Sequence, residues 1–441
     1  MSMSMATLHN SPATPLSNQL ANPMANRPKR LTSIDALRGA AALTVLFYHA
    51  VGLHAFTLKD INIFAFIATY PLQCGYVGVH LFLVLSGFCI HMRLASRQEN
   101  GPDPMTLPFR DFWRRRFHRL YPPYLATLIF SFIMYVVYAM WKANNFSLDH
   151  AGEILTVLRW DFLTHLLMIH LFFPAFSGGM GNGALWSLAL EEHLYILYSP
   201  VLWIRNRIGM GGMLLVAAGV TLAWRGVFVF GYGVRPGLPA GMEQGWKLLL
   251  LQAPSRWFEW CLGAYAVEAY FGLVKLPAWM RRWTTFFAVA GLAMLSAYHV
   301  AGWWIHDTLW GCAFFCLVNA MTHREADAVS QGRTQAPWIV GKLAFFGMFS
   351  YSIYLIHKPI LIGAKLFSYN FGLSWWAYGA VAFATAVGCI PLAYVFFHLF
   401  EKPFITTNAK KAMQADKTNN AETPADAAIK PQPQSAVSAA A

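Results

Sequence analysis

Residues 31–50 read LTSIDALRGAAALTVLFYHA, an apolar run with Arg38 near its start and His49 near its end. Continued to residue 57, it supplies a stretch long enough to cross the hydrocarbon core of a bilayer, which takes roughly 20 mostly apolar residues. Similar stretches recur at about 72–92, 121–141, 185–204, 211–230, 256–273, 284–302, 305–321, 344–364 and 373–399. Lipid offers no partners to backbone N–H and C=O groups, so each stretch is expected to be a helix. The reading is an all-α, polytopic membrane protein with about ten transmembrane helices. The pair within 284–321 has almost no connecting loop.

The composition agrees. Of 441 residues, 57% are hydrophobic and only 12% charged, against roughly 25% charged in soluble chains. Too little polar surface remains to coat a water-soluble globule. The net charge of +13 raises the question of nucleic acid, and the placement of the basic residues answers it. Most of the 33 Lys and Arg fall in alternate connecting segments, including Arg27, Lys29, Arg30 and a run of arginines between 93 and 119. The opposite segments hold only Lys59, Lys142, Arg159, Arg235, Lys247 and Lys365. That asymmetry puts both termini in the cytosol and removes nucleic acid as the explanation for the charge. Residues 1–30, which lack the apolar core of a signal peptide, are expected to be a disordered cytosolic leader. Residues 406–441, rich in Ala, Pro, Gln, Lys and Asn, are expected to be a disordered cytosolic tail. The membrane domain then occupies 31–405 and must carry any catalysis itself. The six cysteines form no CxxC and share no outer loop, so neither a disulfide nor a metal is expected.

One outer segment, 142–184, is long and contains LTHLLMIHLFFPAF. It is too short to cross, and reads as a helix at the interface or one folding back, as either a structural cap or a functional lid.

Ionisable residues within the membrane are costly and mark candidate sites. Arg38 and His49 lie eleven residues apart, about 16 Å along one face of a helix. They cannot pair directly. The spacing suits a long donor whose phosphates are held at the cytosolic mouth while its reactive end reaches a midplane histidine. A snorkelling arginine and a hydrogen-bonded core histidine would give the same pattern. In FWRRRFHRLYPPYL, Arg116 and Arg119 sit one turn apart with Arg114 and Arg115 alongside, and Pro122–Pro123 reads as a helix start. Such a cluster orients a helix, binds anionic lipid or clamps phosphates. In LWSLALEEHLYILY, Glu191 and Glu192 point about 100° apart, so one is expected in the reaction chamber and the other on a structural partner. His357, in SYSIYLIHKPI, lies about 20 Å from the inner end of its helix. Arg256 and Glu259 are spaced to pair and are assigned to structure.

At these residues the sequence resembles the membrane acyltransferase-3 family, integral-membrane enzymes that O-acetylate bacterial surface glycans. The resemblance runs over about 31–405 and rests on a series of motifs in order. They are the Arg38–His49 spacing, GYVGVHLFLVLSGF at 75–88, RRFHRLYPPY, LWSLALEEHLY, the Arg256–Glu259 pair with SYSIYLIHKPI, and FEKPF with Glu401. It implies acetyl-CoA or another acyl-CoA as cytosolic donor and a hydroxyl of an extracytoplasmic glycan or glycolipid as acceptor, in the bacterial cytoplasmic (inner) membrane. By the same resemblance His49, helped by Arg38, is the base or acyl carrier. Arg115, Arg116 and Arg119 recognise the donor's phosphates, and Glu191, Glu192 and His357 shape the acceptor side. Two departures stand out. Position 80 is His where many relatives carry Asp, and the C-terminal esterase-like domain that some relatives have is not expected here; a homo-oligomer or an acceptor-delivering partner protein is the expectation. The rival reading is a transporter or lipid-linked glycan flippase that uses the same charges. It predicts an internal repeat, and none is evident between the halves.

Overall fold

The computed structural model describes residues 30–53, 72–98, 104–176, 179–231, 249–299, 301–333 and 336–405. The expected leader and tail lie outside the described residues except for Arg30. Among the described residues there are helices and no strands. In chain order they are α1 (Thr32–Leu53), α2 (Val77–Gln98), α3 (Phe109–Lys142), α4 (Leu148–Leu166), α5 (Trp186–Ile196) and α6 (Tyr198–Gly226). There follow α7 (Ala253–Tyr270), α8 (Trp283–Ser296), α9 (Gly302–Ser330), α10 (Trp338–Met348), α11 (Ser350–Asn370) and α12 (Trp375–Phe396).

The chain is a multi-pass membrane protein in its helices: α1, α2, α3, α6 and α12 are each long and apolar enough to cross alone. Helices α10 and α11 together supply a further stretch, bent by 67°. The remaining elements meet the ten-stretch expectation unevenly. α8 has only 14 residues, and α7 carries Arg256, Glu259 and Glu268 among its 18. Between 185 and 226 the expected break falls at Gly209, whose φ of 76° and ψ of 169° kink α6. That left-handed conformation suits glycine, which has no Cβ to clash.

One sequence reading changes and one open choice is resolved. Pro122 and Pro123 do not start a helix; they lie inside α3, which begins thirteen residues earlier at Phe109. Each proline removes a backbone donor from the helical ladder, and just beside them Tyr351 donates its hydroxyl to the Leu120 carbonyl at 3.0 Å. Of the two readings of segment 142–184, a helix at the interface or one folding back, the structure has the second. α4 folds back along α3, where Phe132 meets Phe162 and Tyr124 donates to the His165 carbonyl at 2.7 Å. Tyr124 is about 27 Å down α3 from Lys142. Short 3-10 turns then climb back, and Asn182 donates to Ser131 Oγ at 3.1 Å and to the Leu355 carbonyl at 3.2 Å.

Glycine lets the central helices touch backbone to backbone. A Cβ on Gly87 of α2 would sit 1.9 Å from the Trp260 carbonyl oxygen of α7, and one on Gly263 would sit 1.9 Å from that of Val84. α1 and α10 meet the same way through Gly39 and Gly347. Such small-residue seams hold helices together where lipid gives no hydrophobic drive. One apolar core gathers α2, α6, α7 and α9, a second gathers α1, α3, α11 and α12, and Phe82 packs against both.

Candidate active site

Between the two cores lies a cavity of about 120 Å³, lined by side chains of α1, α2, α3, α5 and α11 and by the π turn Phe397–Glu401. Three guanidinium groups converge on it: Arg38 from α1, and Arg116 and Arg119 from α3. Among the described residues, none of the three forms an ion pair with a carboxylate. Arg116 lies over the rings of Phe112 and Tyr195 at 5.7 and 5.4 Å. Two carboxylates share the cavity, and each is engaged by hydroxyls. Glu191 accepts from Ser86 Oγ at 2.6 Å and from the Tyr195 hydroxyl, and Glu401 accepts from Ser352 Oγ at 2.6 Å.

A second cavity of about 150 Å³ adjoins the first and shares Cys89, Ile90, Arg116 and Arg119 with it. Its other lining residues include Arg93, Arg97 and Arg115. Arg114 points elsewhere and pairs with Asp111 at the surface, at 3.3 Å. The arginine run therefore divides by helix face, with Arg115, Arg116 and Arg119 on the cavities.

His49 and His357, 308 residues apart in sequence, meet: His357 Nε2 lies 3.0 Å from His49 Nδ1. The hydrogens on the pair follow from its neighbours. His357 Nδ1 is 2.7 Å from the Tyr354 carbonyl oxygen and 3.2 Å from that of Ile353. A carbonyl only accepts, so Nδ1 carries the hydrogen and Nε2 of the neutral ring is an acceptor. His49 Nδ1 must then donate to it, which leaves His49 Nε2 with a lone pair. This is the arrangement a general base or nucleophile requires.

The adjacent glutamates separate as their 100° offset requires. Glu191 faces the arginine cavity. Glu192 instead lines an apolar cavity of about 510 Å³ on the other side of α5, beside Trp113, Phe117 and Phe172. Arg256 and Glu259 pair at 3.1 Å inside a buried network. Asp307 receives Arg256 at 2.9 Å and also Arg225, while His80 Nδ1 lies 2.9 Å from Glu259 and its Nε2 3.6 Å from Asp307. His80 thus sits between carboxylates of α7 and α9. None of these groups lines the cavities above. Among the described residues, no cluster of His, Cys, Asp and Glu is placed to hold a metal.

Several cavity residues escaped the sequence reading. Glu401 was quoted in FEKPF without a role. Ser187 and Tyr195 stand four residues either side of Glu191. One helical turn was the signal in each case, since such positions share a face.

The chain is 29% identical over 206 residues to the peptidoglycan O-acetyltransferase OatA of Listeria monocytogenes, covering 44% of this chain and 29% of OatA. It is 32% identical over 170 residues to YrhL of Bacillus subtilis, covering 38% and 23%. The matches thus span less than a third of either relative's length. No solved structure matches. A family model described as an acyltransferase domain matches residues 31–394, across both cores, the arginine cavity and the histidine pair, and the chain belongs to that acyltransferase-3 family.

Proposed function

We propose that the protein transfers an acetyl group from cytosolic acetyl-CoA to a hydroxyl of an extracytoplasmic glycan in the bacterial inner membrane. The observation that carries this reading is the arginine-lined pair of cavities, with no carboxylate among the described residues ion-paired to Arg38, Arg116 or Arg119, at one end of the helix whose other end bears the His49–His357 pair. A phosphorylated donor meets unpaired guanidinium groups that make short, bidentate contacts to phosphate. Its pantetheine arm follows α1 inward. The concentration of basic residues on one side supports a cytosolic arginine mouth, with the acceptor entering from the other side. OatA supplies the acceptor class by analogy, a glycan of the cell wall.

The chemistry balances on one histidine. In direct transfer, His49 Nε2 takes the proton of the acceptor hydroxyl as its oxygen attacks the thioester carbon. The C–S bond breaks, the C–O bond forms, and the proton passes to the departing CoA thiolate. If His49 is itself acylated first, the same lone pair forms a C–N bond as the C–S bond breaks and the CoA thiolate leaves; the acceptor oxygen then attacks the acyl carbon, the C–N bond breaks, and the hydroxyl proton passes through the freed Nε2 to the thiolate. In both routes His357 is a positioning residue, because it fixes the tautomer that exposes Nε2.

The test is purified protein in lipid nanodiscs with labelled acetyl-CoA, reading free CoA and label on protein or added glycan. Wild type should release CoA, and His49→Ala should bind CoA without releasing it. Label on wild type without acceptor, absent from His49→Ala, selects the covalent route. Folded wild type that neither binds nor turns over any acyl-CoA would sink the reading in favour of a transporter.

A further inference from the structure

We propose that Phe82 and Tyr354 set which acyl group the protein accepts, by forming the restriction that the donor's acyl end crosses to reach His49; this rests on the donor reading above. α2 serves as a ruler. Arg97 and Arg93 line only the mouth cavity, Cys89 lines both cavities, and Phe82 lines only the inner one. From Arg97 to Phe82 is about 22 Å along the helix. Past Phe82 the chain leads back to Tyr76, which packs edge-on against Tyr48, the neighbour of His49. His49 therefore lies beyond Phe82, and neither His49 nor His357 lines the inner cavity.

Tyr354 closes the opposite wall at the same depth. Its ring meets Phe82 edge to face with centroids 5.7 Å apart, and its centroid is 5.5 Å from that of His357. The two aromatics are held differently. Tyr354 is buried, and its hydroxyl is bonded to Ser187 Oγ at 2.5 Å and to the Ala184 carbonyl at 3.2 Å. Moving it breaks both bonds and disturbs the carbonyl that orients His357. Phe82 is half-buried and apolar, with no polar anchor. Phe82 is the wall that turns aside when the acyl end passes.

An acetyl group needs a small displacement of that ring. Each added methylene must be fitted against a tyrosine that cannot move and a cavity of only about 120 Å³. One methylene in a tight apolar site changes selectivity by roughly 10–200-fold. The protein should therefore select acetyl over longer acyl groups, with Phe82 as the adjustable side.

The experiment compares acetyl-, butanoyl- and hexanoyl-CoA on the full chain in nanodiscs, reading free CoA, with CoA binding and thermal midpoint measured in parallel. Wild type should prefer acetyl-CoA, and Phe82→Ala should raise the butanoyl-to-acetyl ratio of kcat/KM at least tenfold. Phe82→Trp should lose acetyl turnover while still binding CoA. Phe82→Leu gives the same comparison, with a smaller shift, should the alanine variant fail to fold. Wild type that uses hexanoyl-CoA as readily as acetyl-CoA, or folded Phe82 variants with unaltered preference, would overturn the inference and leave the donor reading standing. Absence of turnover with every acyl-CoA would overturn the donor reading itself.

Discussion

With its Nδ1 hydrogen committed to His357, the His49 ring offers a substrate only Nε2, and the consequences are measurable. His49→Ala should lower transfer by about 10²–10⁴-fold, read as CoA release, with CoA binding kept. His357→Ala should cost less, and His357→Gln, whose side-chain oxygen can accept the same hydrogen, should recover part of the loss. The arginines act differently. Arg116→Ala or Arg119→Ala should each raise KM for the donor roughly tenfold to a hundredfold, the worth of a charge-assisted hydrogen bond, with kcat changed far less. Saturation curves at two salt concentrations would separate the effects. Much of this was legible beforehand: helical spacing alone put Arg38 and His49 on one stripe. The His49–His357 contact was not, because helical arithmetic gives depth on each helix and says nothing about which helices are neighbours. The same arithmetic separated Glu191 from Glu192 but left open which of them faced the arginines.

Helix packing turns on glycines that the sequence displayed without explaining. GYVGVHLFLVLSGF reads as a lipid span by hydropathy, yet Gly87 within it is a point where α2 and α7 come into backbone contact. Gly87→Ala adds a methyl against a carbonyl that cannot rotate away. It should lower stability by about 1–3 kcal/mol, as overpacking does, measured as a fall in thermal midpoint in detergent. α4 was less legible for a related reason. Leu148, Val157, Trp160 and Leu167 are exposed apolar residues, and the same pattern serves a helix on the membrane surface, a lid or one folded against a neighbour. Only the tyrosine hydroxyls of α3, reaching carbonyls at the end of α4, distinguish these. The Pro122–Pro123 pair misled because a proline within a helix and a proline at its start look alike in sequence.

Among the described residues, charge is arranged in two ways: arginines without an ion-paired carboxylate at the cavity mouth, and a compensated knot of Arg225, Arg256, Glu259 and Asp307 inside. The knot resists single changes. Asp307→Asn would leave two buried guanidinium groups short of a carboxylate, and loss of one partner from such a group costs about 3–5 kcal/mol; the variant should fail to accumulate in folded form, as size-exclusion profiles would show. The basic bias was readable from the first, and it predicts that a tag at the C-terminus is digested in inside-out vesicles and protected in right-side-out ones. The order of assembly follows from the fold-back of α4. Asn182 is fastened to the Leu355 carbonyl, and Leu355 is made more than 170 residues later than Asn182. During synthesis the segment after α3 must therefore wait, without its final seat, until α11 has left the ribosome and entered the bilayer. A chain stalled before residue 350 would present that segment, without its seat on α11, to proteases and chaperones.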